Sequence, residues 1–183
     1  MRVVRAAAVV VVVGLLGLLV WDVARGSNGG IASKVDHGQT VKAPNITLPW
    51  LGKSGDFSLA AYRGKVVVLN FWASWCVDCK LEAKTLHNEA VKWAGKDVVF
   101  IGVDSKDFNF AADQYMKHYD VDYPVVRDVS GNLGTKFGVS GYPETFIVDR
   151  SGDVVPPHVV GPIVAAAQFS PAKLNATLQR LAS

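Results

Sequence analysis

Val66-Val67-Val68-Leu69-Asn70-Phe71-Trp72 is an apolar run too continuous for a strand that buries only one face, and Lys65 opens it. It reads as a central strand covered on both sides. Beyond it the period changes: Cys79, Ala83, Leu86, Ala90 and Trp93 step by 4, 3, 4 and 3, which marks one face of a helix. Between the two periods lies Trp75-Cys76-Val77-Asp78-Cys79, a C-x-x-C set where a strand hands over to a helix. Further on, Val98 to Val103 reads as a second buried strand, and Phe108, Ala112, Tyr115 and Tyr119 mark a second helix. Strand, helix, strand in that order predicts a parallel pair joined by a crossover helix.

The remainder adds shorter pieces. A strand is expected at Val125-Val126, a turn at Ser130-Gly131 and a helical stretch from Leu133 to Phe137. Thr145 to Val148 and Val154-Val155 flank Ser151-Gly152 as a hairpin. Ser170-Pro171 is a helix start followed by Leu174, Leu178 and Leu181. The fold class is therefore α/β, with antiparallel strands added to one side of a parallel core.

A C-x-x-C at a helix start has a physical logic. The dipole and free N–H groups there stabilise a thiolate on the first cysteine, and the second lies one turn in, close enough to close a disulfide. Cys76 is then the exposed nucleophile and Cys79 the resolving thiol, with a mixed disulfide between Cys76 and substrate as the intermediate. Zinc would need two more ligands, and His37, His87, His118 and His158 are scattered without ligand spacing. A static structural disulfide would close too short a loop to add much stability. No metal and no cofactor are expected.

The segment Asn70 to Cys79 resembles the active-site stretch of the thioredoxin superfamily, and more narrowly that of the membrane-tethered TlpA/ResA/CcmG (DsbE) oxidoreductases. The resemblance covers most of residues 43–165. Ala43 to Pro49 is similar to the group's entry segment, Tyr62-Arg63-Gly64-Lys65 to its approach to the central strand, and Gly138 to Phe146 to its cis-proline loop. It implies a thioredoxin-like fold, a central mixed sheet flanked by helices, with an N-terminal membrane-anchor helix. It implies a cis bond between Tyr142 and Pro143 facing the cysteines, with the Tyr142 backbone and Trp75 on the substrate side. Thioredoxin has a buried aspartate where this chain has Asn70; the tethered group instead places a glutamate three residues after the second cysteine, and Glu82 stands there. The i to i+3 spacing sets Glu82 beneath Cys79 as its proton donor and acceptor; the alternative is a solvated charge paired with Lys80 or Lys84. Glu144 matches a variant of the group's reductases, either as a second carboxylate tuning the cysteines or as a surface charge. Asp78 replaces the group's usual proline, and an acid there favours a reducing couple.

Three readings of function follow. The first is a protein-disulfide reductase outside the cytoplasmic membrane, its implied substrate apocytochrome c and its implied electron donor a membrane thiol-disulfide carrier of DsbD/CcdA type. The second is a DsbA-like oxidase, from which Asp78, Glu82 and Glu144 point away. The third is a copper-handling thiol chaperone, with His158 in the right half of the chain but no evident third ligand. Ala73 in place of threonine three residues before Cys76 argues against a peroxidatic cysteine.

The front of the chain carries a separate signal. Ala6 to Trp21 is uninterruptedly apolar, opened by Arg2 and Arg5 and closed by Asp22. As a helix it reaches about 24 Å against a hydrocarbon core of about 30 Å. The basic start predicts a cytoplasmic N-terminus and a translocated remainder. A cleaved signal peptide is the rival, but Ala24-Arg25-Gly26 is a poor cleavage site. The expected organisation is a signal-anchor over 1–25, a flexible tether over 26–42 and a thioredoxin-like domain over 43–183, on the extracytoplasmic face of the cell membrane. With 183 residues, 50% hydrophobic and 19% charged, the chain is not a disordered protein. Its net charge of +3 is concentrated in the leader, where Arg2, Arg5 and Arg25 oppose only Asp22; the domain has no electrostatic footprint for nucleic acid. Two cysteines exclude a disulfide-stapled scaffold.

Overall fold

The apolar run at the centre of the chain becomes the centre of the sheet. A computed structural model describes residues 11–21 and 30–183. Residues 11–21 are helical (α1). After them come α2 (Ile31–Asp36), β1 (Val41–Lys42), β2 (Thr47–Pro49), β3 (Asp56–Ser58) and a 3-10 turn, Leu59–Tyr62. The core elements are β4 (Val66–Trp72), α3 (Val77–Trp93), β5 (Val98–Ser105), α4 (Asn109–His118) and β6 (Val125–Asp128). The chain closes with α5 (Asn132–Phe137), β7 (Glu144–Val148), β8 (Asp153–Val160) and α6 (Pro171–Ala182).

Six strands form one sheet in the order β1-β8-β7-β4-β5-β6. β4 pairs in parallel with β5 and antiparallel with β7, and every residue of β4 is buried. The β4–α3–β5 crossover and the antiparallel strands on one side follow the sequence expectation. Alternation along β4 divides the core. Val66, Val68 and Trp72 meet Cys79, Ala83 and Leu86 of α3 and Leu174 and Leu178 of α6. Val67, Leu69 and Phe71 face the other way, toward Phe137 of α5, Phe146 of β7 and the α2 side chains Ala32 and Val35.

Two expectations need correction. The tether predicted over 26–42 is ordered from residue 30 onward: 31–36 is a helix, and Val41–Lys42 pairs with Val154 and Asp153 of β8. The physical reason is a short apolar face, Ala32 and Val35, buried at 7% and 2% exposure. Gly30 permits the contact, since a Cβ there would stand 2.8 Å from the Gly138 Cα. The β2–β3 hairpin was not anticipated either, because strands of three residues carry no readable period. The anchor expected over 1–25 lies largely outside the described residues, and among those described no helix is long and apolar enough to cross a membrane.

Candidate active site at the disulfide

Cys76 is the cap residue of α3 and Cys79 lies in its first turn. The two are joined as a disulfide, and the Cys79 backbone N–H donates to the Cys76 sulfur at 3.0 Å. That bond is the local reason a cysteine suits the cap: its sulfur takes the place of the usual cap oxygen. Cys76 is 5% exposed and Cys79 1%. Both cysteines are therefore buried in this disulfide state, and Cys76 is not the exposed residue the sequence reading expects.

The loop before Cys76 is held by a residue sequence reasoning missed. The Asp107 carboxylate, at the end of β5, accepts from the Ser74 N–H, the Ser74 hydroxyl at 3.0 Å and the Phe108 N–H at 2.7 Å. Arg127 donates to the Asp107 carbonyl at 2.9 Å and lies 3.2 Å from Asp104. Burial pushes the Asp104 carboxyl up to about 7, against the pull of Arg127. Only the i, i+1 spacing of Asp107 before an expected helix could have flagged it as a cap. Trp75, 59% exposed, stands edge-on to Tyr142 at 5.6 Å, so the two predicted substrate-side aromatics do meet. Phe108 and Phe110 are more exposed still.

Beneath the disulfide, Glu82 is buried at 1% exposure, which removes the solvated-charge alternative. Lys84 is paired instead with Asp120 in solvent. Glu82 accepts from the Asn70 amide at 2.8 Å through one oxygen and from the Ile163 N–H at 2.8 Å through the other. The Asn70 amide also reaches the Thr145 hydroxyl at 3.0 Å. Burial dominates over these two donors and lifts the Glu82 carboxyl to about 7. The neighbouring Tyr115 hydroxyl donates to the Cys79 carbonyl at 2.7 Å, and its ring stacks on Trp72. Asp78 is exposed on the first turn.

The Tyr142–Pro143 bond is cis, as the resemblance implied, and Pro156–Pro157 is a second cis bond. Glu144 is not a surface charge, and its hydrogen-bond partners are Ser140, Gly141 and His158. It is fully buried, and it shares the sheet face of Phe146, opposite the face that carries Cys79. One of its oxygens accepts from the Ser140 N–H, the Ser140 hydroxyl and the Gly141 N–H at 2.7–3.0 Å; the other faces the His158 imidazole at 2.9 Å. Burial pushes its carboxyl up, but His158, Ser140 and Gly141 outweigh burial and hold it below the ordinary range. His158 is thus fully engaged and is not placed as a copper ligand. Among the described residues no cluster of three His, Cys, Asp or Glu is arranged for a metal.

Fold and site together define a thioredoxin-like protein with its disulfide at the first turn of the crossover helix. The chain belongs to the AhpC/TSA family, whose sequence model matches residues 40–156. It is 38% identical over 110 residues to the thiol:disulfide interchange protein DsbE of Pseudomonas fluorescens biotype C, covering 60% of each chain. It is 30% identical to the thiol-disulfide oxidoreductase ResA of Bacillus subtilis, covering 83% of this chain and 81% of that one. The chain spans 60–65% of the length of the DsbE relative and of ResA from Bacillus thuringiensis. A crystal structure of a putative DsbE from Chlorobium tepidum superposes with a TM-score of 0.64 at 30% identity, covering 78% of this chain and 94% of that one.

Proposed function

We propose that the chain is a membrane-anchored, extracytoplasmic protein-disulfide reductase working through Cys76 and Cys79. The observation that carries this reading is Glu82: a buried carboxylate one helical turn from Cys79, with its carboxyl lifted to about 7. Such a group takes and returns a proton near neutral pH. In the reduced protein, the Cys76 thiolate attacks a substrate disulfide, forming a mixed disulfide and expelling one substrate thiolate. Glu82 accepts the Cys79 proton, and the Cys79 thiolate attacks the Cys76 sulfur. The second substrate thiol leaves, and two electrons have passed from the protein dithiol to the substrate. A membrane carrier of DsbD/CcdA type would restore the dithiol.

Reduction is favoured over oxidation because Glu82 and Asp78 both oppose negative charge on the cysteines. An oxidase of DsbA type relies on the opposite, a stabilised reduced form. The substrate side carries Trp75, Tyr142, Phe108 and Phe110, and the Tyr142 backbone makes no backbone–backbone hydrogen bond among the described residues. That leaves it available to an extended segment such as the haem-site cysteines of apocytochrome c. Glu144 serves this side by bracing the loop. The test is trapping: Cys79→Ser should accumulate mixed disulfides through Cys76, resolved on non-reducing gels, while Cys76→Ser should give none. Recovery of no adducts from Cys79→Ser would remove the assigned roles.

A further inference from the structure

The Glu144 cluster does more than satisfy a buried charge. His158 lies on β8, where the β7–β8 pairing shifts register between Thr145 and Ile147. Its side chain is 3% exposed and stacks on Phe146 at 4.2 Å. Nε2 lies 2.9 Å from Glu144 and Nδ1 lies 3.1 Å from Asp36 of α2. A neutral imidazole has one N–H and one lone pair, so it can donate to only one carboxylate and must set its lone pair against the other. Two carboxylates on two ring nitrogens therefore require the imidazolium, which donates to both. Its grip on one Glu144 oxygen leaves the other to receive three donors from Ser140 and Gly141, the two residues before Tyr142.

We infer that His158 is a positioning residue for substrate pairing: held as an imidazolium between Glu144 and Asp36, it fixes the Tyr142–Pro143 loop and ties that loop to helix α2. The inference rests on the thiol–disulfide exchange reading above. The ionisable groups around the ring are Glu144 from β7 and Asp36 from α2, with Lys173 of α6 lining the same cleft and turned to the Gln168 carbonyl. Burial pushes the His158 pKa down, but the bonds to Glu144 and Asp36 outweigh it and the net direction is up. The clamp is complete at low pH as far as His158 is concerned and is lost as pH rises through that raised value. Glu144 works in the other sense, its share lost as pH falls through its lowered value. The loop is set between the two.

The test uses the full chain, pre-reduced and in single turnovers by stopped flow, where KM is the half-saturating probe concentration and kcat the limiting rate, with two disulfide probes: a synthetic peptide carrying an internal C-x-x-C-H disulfide, and hydroxyethyl disulfide, which is too small to pair with the loop. His158→Gln should raise KM for the peptide about tenfold, the worth of one bond to a charged group. The kcat on the peptide and the rate with hydroxyethyl disulfide should hold. An unchanged KM overturns the inference, and so does an equal loss on both probes, which would mean damage to the cysteine pair. Asp36→Asn, at a half-exposed side chain, covers the case in which His158→Gln does not fold: the pH at which peptide KM rises should move down, and no movement overturns the inference. Nitrogen NMR of the wild-type ring at pH 7 should show both nitrogens protonated; a single neutral tautomer overturns the clamp. Inactivity of the wild type on both probes would sink the exchange reading instead, and the NMR result would still decide the clamp.

Discussion

Glu82 and Glu144 are two carboxylates with almost no solvent-accessible surface on opposite faces of one sheet, and their surroundings send them in opposite directions. Glu82 receives one amide and one backbone N–H and, among the described residues, faces no cation, so burial wins and its carboxyl rises to about 7. Glu144 receives three donors on one oxygen and an imidazolium on the other, so its charge is held. Burial alone therefore does not say what a buried acid is for; the count and charge of its donors do. The first is the group proposed to exchange a proton beside Cys79, the second the one proposed to stay ionised and hold a loop.

The largest expected effect breaks the comparison on the Glu82 side. Glu82→Gln should slow disulfide exchange at pH 7 by about a hundredfold, the low end for losing a positioned acid–base group, read by stopped-flow tryptophan fluorescence. An unchanged rate would take Glu82 out of the chemistry. The same substitution sharpens the comparison thermodynamically. A carboxyl raised from 4.5 to about 7 on folding binds its proton more tightly in the native state. Its contribution is present below pH 4.5 and lost as pH rises through about 7, on the order of 3 kcal/mol in full. Chemical denaturation across that range should show the decline in the wild type and a smaller one in Glu82→Gln. Asp104, lifted to about 7 as well, and His158, whose pKa is also raised, both contribute to what remains.

On the other face the expected outcome is structural. Glu144→Gln should destabilise the fold by about 2 kcal/mol, since it weakens charged hydrogen bonds in a buried place, measured by urea denaturation at pH 7. Its effect on exchange with a small disulfide should be slight. A rate loss as large as that of Glu82→Gln, with stability intact, would mean that the two acids share one role. Smallest is Gly30→Ala, where the new Cβ meets the Gly138 backbone at 2.8 Å. It should cost about 1 kcal/mol and show as faster amide exchange across α2, the helix that presents Asp36.

How much of this was legible depended on period and on distance along the chain. The β4 run, the α3 face and the C-x-x-C between them announce fold and chemistry because burial on two faces, a 3.6 period and a helix-start cysteine each leave a local mark. Glu82 was singled out by the resemblance to the tethered group, and its i to i+3 spacing from Cys79 on one helix face supports that placement. The Glu144–His158–Asp36 clamp left no such mark. It assembles from α2, β7 and β8 through a register shift, and its only sequence clue is Pro156-Pro157, which signals an irregular strand. Helix α2 was hidden by its length: six residues with two buried side chains do not establish a period. Asp107 was hidden because its partner Ser74 is 33 residues away.

The central claim is that acid placed beneath and beside the cysteine pair makes it a reducing couple. The most direct measurement is the reduction potential of Cys76–Cys79, by equilibration in thiol buffers at pH 7. A value below about −220 mV is expected, toward the thioredoxin end of the range. A value near about −120 mV, at the DsbA end, would contradict it and make the protein an oxidant.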